Sequence, residues 1–215
     1  MNVEQVFNGE DFALGDTLTN DLGTSFVINE YFLVFSDFVL RSEDQRFSIA
    51  DSILLDCSAN SEGLYFPADI IYLDKSTTTV QVGAIKTAQT FDFVSFKLGV
   101  DECIDENGIQ FLENTTNSTS LSSAYDGSTF APFYFGLASG IDSVFATLVG
   151  GDGAVSEINK QINASNQVGN TLDLNMKIDL GIWLSGISET DFKEAQINIV
   201  EALINNVGQA ISFEE

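Results

Sequence analysis

"TLDLNMKIDL", residues 171–180, alternates polar and apolar side chains without a break. Leu172, Leu174, Met176, Ile178 and Leu180 fall on one side, and Thr171, Asp173, Asn175, Lys177 and Asp179 on the other. Successive side chains of a strand point to opposite faces, so a period of two describes a strand with one buried and one wet side. A helix would need its apolar residues three and four apart. A sheet face of this kind has to be covered by a second layer. The stretch makes the fold a β fold.

Other runs agree. "FDFVSFKL" (91–98) and "TTTVQVGAI" (77–85) read as strands, and "DSVFATLVG" (142–150) as a further candidate. "YFLVFSDFVL" (31–40) is apolar on nearly both sides, which predicts a central strand covered twice. Turn residues separate these runs at 19–25, 106–108, 125–128 and 150–153. "AVSEINKQIN" (154–163) fits either a short helix or an irregular strand. Near the end, Ser188 with Asp191 resembles a capping box, and Phe192, Ala195, Ile199, Leu203 and Val207 share one helical face. Gly208 is the expected stop. The Ser/Thr/Asn-rich stretch 112–129 reads as an exposed polar loop. No internal repeat is visible. The expectation is mainly β: one β-sandwich-like domain over residues 1–215, with a single C-terminal helix.

Charge narrows the function. Thirty-two Asp and Glu against eight Lys and Arg give a formal net charge of −24. That field repels phosphate backbones and anionic lipid, so nucleic acid is not an expected partner. The acids are scattered and the chain is 44% hydrophobic, which argues for a solvated acidic surface rather than disorder. The sequence contains no His. That removes the usual general base and the commonest metal ligand, and with them any His-dependent triad or imidazole metal site. "GGDG" (150–153) lacks the Lys of a phosphate loop, and Ser139 has no base to activate it. No enzyme is expected.

No apolar run is long enough for a membrane-spanning helix. "MNVEQVFNGEDF" (1–12) has neither the basic nor the apolar part of a signal peptide, which is compatible with Met1 following a removed leader or a lipid-anchored N-terminus. Cys57 and Cys103 form an even pair outside any CxxC motif. They would make one disulfide in an exported protein and two buried thiols in a cytosolic one.

One stretch concentrates acids. "VDECIDENG" (100–108) carries Asp101, Glu102, Asp105 and Glu106 beside the Asn107 amide and Cys103. Scored as an EF-hand from Cys103 it has Asp105, Asn107 and Gly108 in place, but lacks the first Asp and has Asn114 where the final Glu belongs. It is not an EF-hand. Two readings stay open: a solvated acidic turn beside a disulfide, and a weak Ca²⁺ site formed by Asp101, Glu102, Asp105, Glu106 and Asn107.

Three segments together resemble the MbnP-like domain family, exported copper-associated proteins of Gram-negative bacteria named for a methanobactin-linked periplasmic member. "LGDTLTNDLGTSFVINEYFLVFSDFVL" (14–40) is similar to the family's opening, with Gly23 in its turn and Ser36 at its strand serine. "FVSFKLGVDECIDENG" (93–108) is similar to its strand ending in Gly-Val-Asp, and "LDLNMKIDLGIWLSG" (172–186) to its closing strand. The resemblance implies export to the periplasm or outer surface, a protein partner or surface ligand, and copper chemistry centred on modifiable Trp residues. The chain departs from the pattern there. In "PFYFGLASGI" (132–141), Phe135 and Leu137 stand where Trp is expected, and Ile141 where Tyr is expected. Soft Cu(I) would have only two Cys and two Met to choose from. The expectation is an exported, non-enzymatic binding domain without the family's copper site, with the Cys57–Cys103 pair oxidised. A copper protein using a divergent site and a surface adhesion module are the alternatives.

Overall fold

The computed structural model describes residues 1–43, 45–49, 52–55, 64–67, 70–85, 88–114, 121–140, 142–147, 156–167, 171–194 and 196–214. Its frame is one long strand, β3 (Ser25–Ser42). Antiparallel to it on the main path run β8 (Gln89–Leu98) and β9 (Phe133–Ser139), giving the order β10-β9-β3-β8-β11. The outer strands of that path are β10 (Asp142–Thr147) and β11 (Ser156–Asn166), so the open choice at 154–163 resolves to a strand over 156–163, with 154 and 155 outside the described residues. Three short strands also pair with β3: β2 (Thr17–Thr19), β4 (Gln45–Ser48) and β7 (Ile71–Asp74). A hairpin of β5 (Ser52–Leu55) and β6 (Leu64–Pro67) stands apart.

A second sheet has the order β1-β12-β13, from β1 (Asn2–Val6), β12 (Asn175–Asp179) and β13 (Ile211–Glu214). β1 runs parallel to β12, and β13 antiparallel to it. The alternation of 171–180 comes through as read: Met176, Ile178 and Leu180 are buried, and Leu172 and Leu174 are partly buried against the same core. Pairing begins only at Asn175, however, and Leu180 opens the short helix α3 (Leu180–Trp183). Numbering helices along the chain, α1 is Glu102–Glu106 and α2 is Gly108–Asn114, while α4 is Glu189–Glu194 and α5 is Gln196–Ala210.

The main core lies between the two sheets and α3–α5. It holds Phe35, Phe38, Leu40, Phe91, Val94 and Phe96 from the large sheet against Met176, Ile178, Trp183, Ile199, Leu203 and Ile211. β3 is apolar on both sides because its other face is covered as well. Val34 packs outward with Val100, Ile104, Phe111, Leu121 and Phe130 in a smaller second core. The mainly β, sandwich-like expectation with a C-terminal helix stands.

Several local expectations change. Residues 77–85 alternate but form no strand; an isolated bridge, Asn2 to Thr79, is all they contribute. Pattern alone gives an extended chain, and a ladder also needs a free neighbouring edge. One half of the capping box forms: Asp191 Oδ2 receives Ser188 N–H at 2.8 Å and Ser188 Oγ–H at 2.7 Å, while Asp191 N–H turns to the Ser188 carbonyl at 3.1 Å. Gly208 does not stop the helix, which runs on to Ala210 and turns directly into β13. Lys160 Nζ donates to the Gly208 carbonyl and answers the negative end of that helix. The polar stretch 112–129 is not wholly a loop. It begins inside α2, and Leu121 and Ala124 anchor its return in the second core; 115–120 fall outside the described residues, as do Ala195 and the turn at 150–153.

Candidate functional site

The acidic stretch begins where β8 ends. Gly99 takes φ +92, a left-handed conformation that glycine adopts without strain, and this releases the chain from the sheet. The buried Ser36 hydroxyl donates to the Gly99 carbonyl at 2.6 Å and pins that exit. On β3 the register shifts between Ser36 and Val39, and Asp37 sits in the bulge at φ +55. The bulge aims Asp37 at Lys97, 3.3 Å away, and Lys97 also reaches Asp101 at 3.4 Å. Burial pulls the Lys97 ammonium's pKa down, but the Asp37 and Asp101 carboxylates outweigh it and hold the pKa above its ordinary value. Asp101 therefore serves one lysine, with its second oxygen 3.5 Å from the Cys103 N–H.

The stretch is helical rather than a hanging loop. α1 and α2 are separated by Asn107 alone. The Asn107 amide donates to the Cys103 carbonyl at 2.9 Å, and its own carbonyl receives Phe111 N–H at 2.8 Å. It stitches the helices together. Gly108 is needed for closeness and not for a turn: a Cβ there would collide with the Tyr125 ring, which packs on Phe130 with centroids 4.8 Å apart. Glu102 is exposed on α1; the backbones of Asp105 and Glu106 belong to α1, and their side chains fall outside the described residues. The structure thus brings Asp101 to Lys97 and Asn107 to Cys103. Among the described residues no group of three or more His, Cys, Asp or Glu is placed to hold a metal ion. Cys103 is not a free thiol, and Cys57 lies outside the described residues.

The family model for MbnP matches residues 1–202. The chain belongs to the MbnP family. Among solved structures, MbnP from Methylosinus trichosporium is similar at 11% identity and a TM-score of 0.45, covering 87% of this chain and 77% of that one. No curated protein matches.

The positions at which MbnP resemblance implies copper chemistry have definite surroundings here. Phe135 and Leu137 point inward from β9 and are buried. Phe135 stacks on Tyr31 at 5.6 Å and meets Trp183 edge to face at 5.8 Å. Trp183 is fully buried, and its Nε1–H is taken by the Leu203 carbonyl at 2.8 Å. Met176 is buried in the same core. Met1 is partly buried against it, and Ile141 lies outside the described residues.

Three polar clusters escaped the sequence reading. The buried Asn20 side chain donates to the Leu184 and Ile187 carbonyls at 3.1 and 2.8 Å and accepts from Leu22 and Thr24 N–H. It fastens the β2–β3 turn to the α3–α4 connection. The Asp179 carboxylate collects N–H groups from Asn8 at 2.8 Å, Gly9 at 2.9 Å and Gly181 at 2.9 Å, which caps α3 and locks the N-terminal hairpin against it. Gln5 joins Tyr31, whose hydroxyl donates to it, to the carbonyls of Asp74 and Thr77. The last cluster had a visible signal: Asp74-Lys75-Ser76-Thr77 and Asp126-Gly127-Ser128-Thr129 share one Asp-x-Ser-Thr turn, with each Asp accepting from the following Ser.

Proposed function

We propose that this chain is an exported, acidic, non-enzymatic binding domain of the MbnP family that has given up the family's copper chemistry and acts by binding a protein partner or surface ligand. The observation that carries the reading is the Phe135–Trp183 contact. One ring stands where the resemblance implies Trp, the other is the chain's single Trp, and both are sealed in the core. Neither ring can reach a ligand without the core opening. With no His, soft-metal binding would fall to sulfur, and Met176 is buried while Cys103 is not a free thiol. Absence of the usual general base supports the non-enzymatic part. Copper content of protein recovered from copper-supplemented cells tests the reading: substoichiometric copper is expected, and one copper per chain would overturn it.

Export is supported by family membership and by Cys103. We assign its partner as Cys57, an arrangement suited to an oxidising compartment. Closing a loop of that length is worth about 4 kcal/mol in the chain-entropy account, less any native strain. Thiol titration of unreduced, denatured protein is expected to find no reactive thiol; two reactive thiols would remove this support for export.

A further inference from the structure

Residues 77–85 and 171–174 alternate like strands of a covered sheet, yet neither segment pairs into one. Residues 77–85 are tied to the N-terminus by one bridge, with Val3 N–H on the Thr78 carbonyl and Val80 N–H on the Met1 carbonyl, each at 2.9 Å, and to Ile49 by Ala84 N–H at 2.8 Å; Asn2 N–H reaches the Leu174 carbonyl at 2.8 Å. Between them lies a cavity of about 460 Å³, partly open to solvent. Phe38 and Leu40 of β3 form its floor, and Val82, Ile85, Leu172 and Leu174 its flanks. Those four flanking side chains are only partly buried, although their pattern is that of core residues. Among the described residues the seam between the two sheets stays open here.

We propose that this seam is a binding site for a neutral small molecule with a largely apolar body. Its volume falls within the range of about 300–1,000 Å³ typical of small-molecule sites, and its lining has the usual composition, apolar with a few polar groups. Asn166 is the buried polar side chain of that described lining. The charge argument selects a neutral occupant. Among the described residues no Lys or Arg side chain lines the cavity, and its one carboxylate there, Asp173, is matched by the Met1 amino group, which donates to the Val80 carbonyl at 2.7 Å. The chain as a whole carries −24, so an anionic amphiphile such as a fatty acid meets repulsion, and the one cation of the described lining already faces Asp173.

Fluorescence titration compares two probes of similar size, neutral N-phenyl-1-naphthylamine and anionic 8-anilinonaphthalene-1-sulfonate. The neutral probe is expected to bind saturably, one per chain, and the sulfonate about tenfold or more weaker. Leu172→Phe and Val82→Phe, which fill the cavity from opposite flanks, are each expected to weaken the neutral probe by about tenfold. Phe93→Ser, which removes an exposed ring on β8, should leave binding unchanged. Near-ultraviolet circular dichroism confirms that each variant compared is folded. The wild-type titrations need no variant: non-saturable uptake of the neutral probe, or equal affinity for the sulfonate, overturns the proposal. So does binding that ignores both filling substitutions, or that falls equally in Phe93→Ser.

Discussion

The indole Nε1 of Trp183 donates to the Leu203 carbonyl at 2.8 Å, and this bond ties the short helix after β12 to the middle of the long C-terminal one. The ring is fully buried and touches Phe135 across the core. Its role is to join two layers of the fold.

Trp183→Phe is therefore expected to cost about 2–3 kcal/mol, from the lost hydrogen bond and the void left by the smaller ring. In a chain of this length that lowers the melting temperature by roughly 5–10 °C. As the single Trp, it reports on itself: emission should be blue-shifted and resist acrylamide quenching in the native state. Emission like that of free indole in water, or a variant as stable as wild type, would contradict this placement.

Acid should expose the Asp-x-Ser-Thr turn after β7. Burial pushes the Asp74 pKa up, but hydrogen bonds from Ser76 N–H at 2.9 Å, Ser76 Oγ–H at 2.6 Å and Thr77 Oγ–H at 3.0 Å outweigh it and hold the carboxyl below its ordinary value. A depressed folded-state pKa gives stability that is present above the unfolded value of about 3.9 and is lost as pH falls through the folded one. Asp74→Asn should lag behind wild type at neutral pH, and the gap should close below about pH 4. Denaturant midpoints at stepped pH measure it. A gap that persists unchanged to pH 2 would remove Asp74 from the account.

Calcium at several millimolar is expected to leave the melting temperature where chelator leaves it. Asp101 is committed to Lys97 and Asn107 to Cys103, so two of the five candidate ligands already have partners. A millimolar site at about five times its dissociation constant would add about 1 kcal/mol, a few degrees here. A rise of that size, abolished by Asp105→Ala, would restore the calcium reading.

What the sequence disclosed follows from which forces are local. Alternation exposed β8 and β12, and an apolar run on both faces exposed β3, because burial repeats along the chain with the pleat. The Ser188–Asp191 cap was equally plain, since it lies within a single turn. Residues 77–85 misled because pairing depends on a partner edge that pattern cannot show. Residues 106–108 looked like a turn because Gly108 is ambiguous: its small size admits the Tyr125 ring, a contact seventeen positions along the chain that nothing nearby announces. Asn20 and Asp179 were invisible for the same reason, as their partners lie far off in sequence. β13 was missed because it follows α5 without a turn residue. Of the candidate copper positions, sequence gave the identity of Phe135 and Leu137, and packing showed how completely they are enclosed.

Competition for Cu(I) against a chromogenic chelator tests the central claim most directly. The purified, unreduced protein is titrated into the preformed copper–chelator complex under anaerobic conditions. With no imidazole in the chain, Met176 and Trp183 buried and Cys103 not a free thiol, the chelator's absorbance should remain unchanged at equimolar protein and beyond. Stoichiometric withdrawal of copper from the chelator would contradict the account and show that this member of the family holds the metal through ligands of its own.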